Sequence, residues 1–333
     1  MAVYTQVTFD AAAAFIKPLN IGVLTQLKGC AGGIENTNYF ADTTHGRYVL
    51  TLFERLTHEQ LPFYLHLMKH LAQRGIAVPD PQANGAGDIL MTLNGKPAAV
   101  VNRLRGDHHL APDATDCAQL GTMLARMHVA GQDFAMQQPN LRGLAWWLET
   151  VPVVLPFLTP SQADLITTEL HLAQTVATSS TYVALPRGPI HADLFRDNVM
   201  FDGTILSGFF DFYFAGVDCL MFDVAVCLND WCIDLDTGAL IEERANALLS
   251  AYDAVRAFTA DELRLLPTLM RNAALRFWLS RLWDVHLPRD ASMLTAHDPT
   301  HFERVLRQRA SQTWRPSHKL HSRMTSQFTK VNA

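Results

Sequence analysis

The segment His191-Ala192-Asp193-Leu194-Phe195-Arg196-Asp197-Asn198, together with Asp211-Phe212-Tyr213 farther along the chain, is the most informative part of the sequence. Its polar residues follow the order His, any residue, Asp, four residues, Asn, and a further Asp stands beyond a strand, turn and strand pattern. A carboxylate can accept the proton of a hydroxyl, and carboxylate and amide oxygens can hold Mg²⁺. The spacing therefore predicts phosphoryl transfer to a hydroxyl group.

The same order is found in the catalytic loop and metal-binding Asp of protein kinases. On that pattern Asp193 is the predicted general base, His191 is predicted to be catalytic with it, and Asn198 and Asp211 are the predicted Mg²⁺ ligands. Asp and Asn are also common in ordinary turns. The predicted hairpin of 199–210, with Asp202-Gly203 as its turn, favours the kinase interpretation.

The composition of the chain limits which partners, cross-links and cellular compartment are expected. The chain has 333 residues, a net charge of -5 and five cysteines. A mildly acidic chain gives no reason to expect nucleic acid or a membrane surface as a partner. An odd number of cysteines without a CxxC pair argues against a disulfide framework or a structural zinc site. Because residues 1–15 show no signal-peptide pattern and no long apolar stretch follows, we expect a cytoplasmic protein.

Short strand patterns separated by turns fill residues 22–101, and one helix interrupts them. The predicted helix starts at a capping box, Thr57 to Gln60, and ends at Gly75. Residues 102–109 break both periodicities and are predicted to connect two lobes. Helical patterns dominate 110–310, and 311–333 reads as a polar tail.

These patterns predict an α+β fold with two lobes, as in protein kinases. Residues 1–101 are expected to form a small N-terminal lobe with an antiparallel sheet and one helix, which binds the nucleotide. Residues 110–310 are expected to form a larger, mainly helical lobe with the catalytic and substrate sites.

A glycine-rich segment between the first two predicted strands is the candidate phosphate loop. Its candidate nucleotide-binding residues are Lys28, Gly29, Gly32, Gly33 and Asn36. A plain hairpin connection is the alternative. The next strand has Thr51 where kinases place a lysine, so the cation that meets the phosphates is not identified by position.

Several motifs together resemble the bacterial homoserine kinases of the aminoglycoside phosphotransferase-like, protein-kinase-like superfamily, over roughly residues 1–310. The motifs are 34–39, 48–54, 143–147, 188–201, 211–216, 229–232 and 274–284. The third strand of that subfamily also reads Val-Leu-Thr-Leu-Phe-Glu. The resemblance implies ATP- and Mg²⁺-dependent phosphorylation of the side-chain hydroxyl of L-homoserine, a step toward threonine. Whether the protein is a monomer or a homodimer is left open.

Homoserine is a zwitterion, so its pocket needs a cation for the carboxylate and a carboxylate for the ammonium group. The candidate substrate residues are Tyr213, Asp230, Trp231, Arg276 and Trp283. Trp at helical spacing is also typical of a core, and Arg near Asp is typical of a structural ion pair. In related kinases an Asp at the position of Asp223 braces the catalytic loop, which implies a structural role here.

Two other functions stay open. The acceptor could be another small alcohol, such as an aminoglycoside, a choline-like alcohol or a sugar, although Arg271, Arg276 and Arg281 favour an acceptor with a carboxylate. The missing strand lysine also allows a nucleotide-binding pseudokinase, against which the intact loop residues weigh.

Overall fold

The computed structural model describes residues 5–30, 36–287 and 297–316. Its N-terminal part is a five-stranded antiparallel sheet in the order β1-β2-β3-β5-β4. The strands are β1 (Leu24–Gly29), β2 (Asn36–Thr43), β3 (Arg47–Phe53), β4 (Met91–Leu93) and β5 (Lys96–Asn102). Two helices accompany them, α1 (Phe9–Ile16) before β1 and α2 (Pro62–Gln73) after β3.

The rest of the described chain is mainly helical and contains two small antiparallel pairs, β6 with β9 and β7 with β8. The helices are α3 (Ala114–Ala130), α4 (Leu144–Val154), α5 (Pro160–Ala177), α6 (Ser180–Val183), α7 (Leu220–Trp231), α8 (Glu242–Val255), α9 (Ala260–His286) and α10 (Thr300–Ser311). The strands are β6 (Arg187–Ile190), β7 (Val199–Asp202), β8 (Ile205–Phe209) and β9 (Gly216–Cys219).

The expected fold class is therefore confirmed, with an antiparallel sheet in the N-terminal region and a helical C-terminal part. One detail differs, because the sheet region holds two helices and the sequence interpretation included only α2. Helix α1 is short, and its side-chain cap is Thr8, whose hydroxyl accepts a hydrogen bond from the Ala11 N–H. Helix α1 covers a separate apolar cluster on one face of the sheet, which includes Leu50 and Leu52.

The start of α2 also differs from the prediction. Thr57 and Gln60 form only a turn, in which the Gln60 side chain accepts from the Thr57 N–H. The helix begins at Pro62, with Leu61 as its N-cap and no side-chain cap. Proline suits the first helical position because its missing N–H would have no helical partner there.

The helical part has one continuous apolar core, and α7 runs through its centre. Every residue of α7 is buried. Helices α3 and α8 lie close together on this core, because Gly121 of α3 leaves no Cβ to overlap the carbonyl oxygen of Leu248. A buried α7 matters for function, since polar residues placed on it must find partners within the protein.

Two further expectations concern the ends of the chain and the membrane. Of the predicted polar tail, Ser311 closes α10 and residues 317–333 lie outside the described residues. Among the helices of the described ranges, none combines the length and the apolar character that a membrane span requires.

Candidate active site

The predicted catalytic segment forms the connection from β6 to β7 and the hairpin that follows. A short 3₁₀ turn at Arg196–Asn198 leads directly into β7, and β8 returns the chain to Asp211. The amide of Asn198 donates to the carbonyl oxygen of Asp193 at 2.8 Å, and the N–H of Phe210 donates to the carbonyl oxygen of Asn198 at 3.0 Å. These bonds bring Asp193, Asn198 and Asp211 to one place.

Asp223 of α7 holds the start of this loop. Its two carboxylate oxygens accept hydrogen bonds from the backbone N–H groups of His191, at 2.7 Å, and Ala192, at 2.8 Å. Ala192 has a φ of 64°, a left-handed conformation that costs energy for a residue with a side chain. His128 Nε2 of α3 contacts the same carboxylate at 3.1 Å. The expected bracing role of Asp223 fits these contacts.

The electrostatics of Asp223 follow from the same partners. Burial raises the pKa of its carboxyl, but the hydrogen bonds from the His128 ring and from the backbone of His191 lower it more, so that the pKa lies below its ordinary value. Asp223 therefore stays ionised in the core, where an unpaired charge would be very costly.

His191 links the two halves of the site. Its buried ring has Nε2 at 2.9 Å from the carbonyl oxygen of Phe210, and its Nδ1 accepts from the N–H of Asp193 at 3.3 Å. Because a carbonyl oxygen only accepts, Nε2 carries the proton. Burial lowers the pKa of His191, which keeps the ring neutral. These are the contacts of a positioning residue.

Asp193 faces a buried cation. Nη1 of Arg276, on α9, lies 3.8 Å from Asp193 Oδ1. Burial raises the pKa of Asp193 to about 8, although the Arg276 charge opposes that rise. Burial lowers the pKa of Arg276 to about 10. Within the part of the chain that the structure describes, Nε and Nη2 of Arg276 have no hydrogen-bond partner. A buried guanidinium with two unused donors is an anchor for an anionic group.

Asn198 and Asp211 present oxygen ligands of the kind that Mg²⁺ prefers. Since the Nδ2 of Asn198 is used by the Asp193 carbonyl, its Oδ1 is the atom that can meet a cation. Asp211 sits just beyond β8 with a φ of 67°, which is a strained conformation for an Asp and fixes the direction of the turn. A Mg²⁺ ion commonly takes only one or two protein oxygens and completes its shell with phosphates and water. The two residues fit that donor set.

Asp230 and Trp231 make contacts of another kind. The Asp230 carboxylate accepts from the N–H of Arg196 at 2.9 Å and from its Nε at 3.1 Å. The indole N–H of Trp231 donates to the carbonyl oxygen of Leu194 at 3.0 Å. Both side chains are buried against the loop. The structure thus gives both side chains supporting contacts to the loop.

Tyr213 and Trp283 are the remaining substrate candidates. The ring of Tyr213 meets Phe53 of β3 edge-on at 5.2 Å and Tyr64 of α2 at 6.0 Å, which joins the Asp211 turn to the sheet region. Trp283 is half-buried on α9, two helical turns beyond Arg276 and on the same side.

The structure describes only part of the glycine-rich segment that is the candidate phosphate loop. Lys28 and Gly29 end β1 and Asn36 begins β2, whereas Gly32 and Gly33 lie outside the described residues. Lys28 is exposed. Thr51 takes the place of a strand lysine and donates its hydroxyl hydrogen to Asn38 Oδ1 at 2.7 Å.

Sequence reasoning missed three residues that shape the site. His128 and Arg196 hold Asp223 and Asp230, and Arg103 lies against Phe40 beneath the sheet. Arg196 stood inside the motif, and the basic character of 102–109 was visible. No local signal could have identified His128, which is 95 residues from Asp223 along the chain.

Comparison with known proteins adds the following. The phosphotransferase enzyme family matches residues 26–258. A homoserine kinase of Polaromonas naphthalenivorans (strain CJ2) is 66% identical over 309 residues, which is 93% of this chain and 98% of that protein. A homoserine kinase of Janthinobacterium sp. (strain Marseille) is 55% identical over 316 residues, 95% of this chain and 98% of that protein.

Solved structures show the same fold at low sequence identity. An amicoumacin kinase in complex with AMP-PNP, Ca²⁺ and Ami has a TM-score of 0.67 at 16% identity and covers 94% of this chain and 97% of its own. A spectinomycin phosphotransferase in complex with ADP and spectinomycin has a TM-score of 0.63 at 11% identity, with 90% of this chain and 94% of its own covered.

Replacing Asp223 tests the brace. Asp223→Asn removes the charge and turns an amide N–H₂ toward a backbone N–H, so we expect the free energy of unfolding to fall by about 3 kcal/mol at neutral pH. Because the pKa of Asp223 is lowered in the folded protein, its stabilising effect is present above the ordinary Asp pKa and is lost as the pH falls. The difference in free energy of unfolding between wild type and Asp223→Asn should therefore become smaller at acidic pH.

Urea unfolding at neutral and acidic pH measures both effects. Asp236→Asn makes the same chemical change at an exposed position and should leave stability nearly unchanged. Equal stability of Asp223→Asn and wild type at neutral pH would contradict the bracing role.

Proposed function

The chain belongs to the phosphotransferase enzyme family, and we propose that it is a homoserine kinase that transfers the γ-phosphoryl group of ATP to the side-chain hydroxyl of L-homoserine. Relatives that carry this name are 66% and 55% identical to the chain over nearly its whole length. The observation in the site that supports this acceptor best is the buried Arg276 guanidinium, 3.8 Å from Asp193. The products are O-phospho-L-homoserine and ADP.

Asp193 is the proposed general base. Its carboxylate accepts the proton of the acceptor hydroxyl as the oxygen bonds to the γ-phosphorus, while the bond from that phosphorus to the leaving oxygen of ADP breaks. Such transfers proceed through a loose transition state, so rate depends mainly on positioning and charge. The positioning is the task of His191 and Asp223, which fix the backbone on either side of Ala192.

Asn198 and Asp211 are the proposed residues for Mg²⁺. The ion, when bound with ATP, neutralises charge on the phosphate oxygens. The contribution of the chain is to hold the Asn198 Oδ1 and the Asp211 carboxylate in fixed directions, through the Asp193 carbonyl and the turn after β8.

Arg276 is the proposed anchor for the α-carboxylate of homoserine. Its ring contacts, Phe277 at 3.8 Å and Phe214 at 5.0 Å, hold the guanidinium plane between aromatic faces. Burial and the charges of Arg142 and Arg281 lower the pKa of Arg276, and the charges of Asp193 and Asp284 oppose that fall. A carboxylate can accept hydrogen bonds from the two unused donors of Arg276, whereas the ammonium groups of an aminoglycoside or a choline-like alcohol cannot.

A pseudokinase is the weaker alternative, since Asp193, Asn198 and Asp211 are all present, and hydrogen bonds connect Asn198 to Asp193 and to Phe210, the residue before Asp211. We place the reaction in the cytosol, because the five cysteines are unpaired, as expected in a reducing compartment.

Removing the base tests the mechanism. Asp193→Ala should lower kcat by at least about a thousandfold, because it removes the carboxylate proposed to take the hydroxyl proton, and should leave ATP binding nearly unchanged. Steady-state ADP release and calorimetric binding of AMP-PNP measure the two quantities. Asp236→Ala, at an exposed position, is the control and should behave as wild type. Normal turnover by Asp193→Ala would refute the assignment of the base.

Changing the anchor tests the acceptor. Arg276→Lys keeps a positive charge but loses the planar pair of donors, so kcat/KM for L-homoserine should fall by about a hundredfold while KM for ATP stays within a few-fold of wild type. Arg271→Lys is a matched control on the same helix, since Arg271 is paired with Glu169 at 2.5 and 2.7 Å. An unchanged kcat/KM for L-homoserine in Arg276→Lys would exclude the anchor.

A further inference from the structure

Arg103, just beyond β5, lies beneath the sheet. Its guanidinium carbon is 3.8 Å from the ring centroid of Phe40 on β2. Its backbone N–H donates to the carbonyl oxygen of Arg47 at 2.9 Å, which fixes where the side chain leaves the backbone. Among the described residues its guanidinium has no carboxylate partner, so a buried ion pair does not explain its position.

The face of the sheet that Arg103 covers is the one turned away from α1. In the register, Phe40 pairs with Val49 and Val49 pairs with Val101. Their strand neighbours Leu50 and Val100 point the other way, into the cluster that α1 covers. Arg103 follows Val101 by two residues and therefore lies on the same face as Phe40 and Val49.

This face runs from the connection to the catalytic loop. At one end of β3, Arg47 meets Arg103. At the other end, Phe53 contacts Tyr213, which is two residues from the proposed Mg²⁺ ligand Asp211. The six steps of β3 between them span about 20 Å, enough to lay a nucleotide along the strand with its phosphates near Asp211. The purine base of the nucleotide would then lie at the end of β3 that is near Arg103.

Two further observations concern the charge and the space at this end. Lys28 pairs with Phe40 in the register, and the charges of Arg103 and Lys28 both act on the Cys30 thiol, so the two cations approach the same place. A cavity of about 760 Å³ opens beside Arg103 at the connection, and its lining includes Arg47, Tyr48, Asp107 and Asp202.

We propose that Arg103 binds the nucleotide, with its guanidinium stacked between Phe40 and the purine base of ATP. This rests on the proposed function for the presence of ATP. A guanidinium plane stacks on aromatic faces. Arg103 lies at the far end from Asp193, so it acts on nucleotide affinity and leaves the chemical step unchanged.

Calorimetric binding of AMP-PNP with Mg²⁺, without any acceptor, tests this independently of the acceptor. Arg103→Ala should weaken AMP-PNP binding by about tenfold and raise KM for ATP similarly, with kcat within about twofold of wild type. Arg103→Lys keeps the positive charge but lacks the planar guanidinium, so its affinity for AMP-PNP should lie between those of wild type and Arg103→Ala. Arg126→Ala removes an exposed arginine of α3, away from this face of the sheet, and should bind as wild type.

Results that would overturn the role of Arg103 can be told apart from results that would refute only the proposed acceptor. Equal or tighter binding by Arg103→Ala would overturn the proposal, since the side chain would then be inert or would obstruct the base. An equal loss in Arg126→Ala would also overturn it, because the total positive charge of the protein would then explain the effect. Tight AMP-PNP binding that depends on Arg103, without phosphorylation of homoserine, would retain this inference and refute the acceptor. Thermal unfolding of each variant confirms that it is folded, and Arg103→Gln replaces Arg103→Ala if that variant is not.

Discussion

The carboxylate of Asp223 is the constraint on which the site depends. It accepts the backbone N–H groups of His191 and Ala192 and contacts His128, all within the core. Two hydrogen bonds from consecutive residues to one carboxylate offset the cost of the left-handed conformation of Ala192. That conformation in turn sets the direction in which the next residue, Asp193, leaves the backbone. Because α7 is buried along its length, the anchor cannot shift without disturbing the core.

From this anchor, the site is assembled by bonds that connect the loop to its hairpin. His191 reaches the Phe210 carbonyl, and Asn198 is bonded both to Asp193 and to Phe210. The result is that Asp193, the proposed base, lies in a low-dielectric environment, where burial raises its pKa and the charge of Arg276 opposes that rise. Among the residues that the structure describes, two donors of Arg276 have no hydrogen-bond partner. A site that holds an unused guanidinium next to a carboxylate is arranged for an acceptor with both a hydroxyl and an anionic group.

Much of this could be predicted from the sequence, because the relevant signals are local. Alternation and turn residues predicted the strands within 22–101 and the hairpin at Asp202-Gly203. The assignments of Asp193 as base and of Asn198 and Asp211 as Mg²⁺ ligands were made from spacing and stay predictions. The start of α2 was wrong because a capping box in sequence does not reveal that Pro62 will take the first helical position. Helix α1 was missed because eight residues, half of them alanine, carry a weak periodic signal.

The features that were not predicted depend on distant parts of the chain. Helical spacing places Asp230 and Trp231 near the loop but does not identify their hydrogen-bond partners. In the structure, Asp230 accepts from Arg196, and Trp231 donates to the Leu194 carbonyl oxygen. The position of Arg103 depends on the register of three strands, which one sequence does not fix.

The most direct test of L-homoserine as the acceptor measures the release of ADP by the purified protein with ATP and Mg²⁺. L-Homoserine is compared against L-serine, L-threonine, choline and an aminoglycoside. We predict saturable turnover with L-homoserine that exceeds turnover with the others by orders of magnitude, because L-homoserine combines a carboxylate for Arg276 with a hydroxyl that reaches Asp193. Efficient turnover of choline or the aminoglycoside with none of L-homoserine would contradict it, since neither carries the carboxylate that the Arg276 anchor requires.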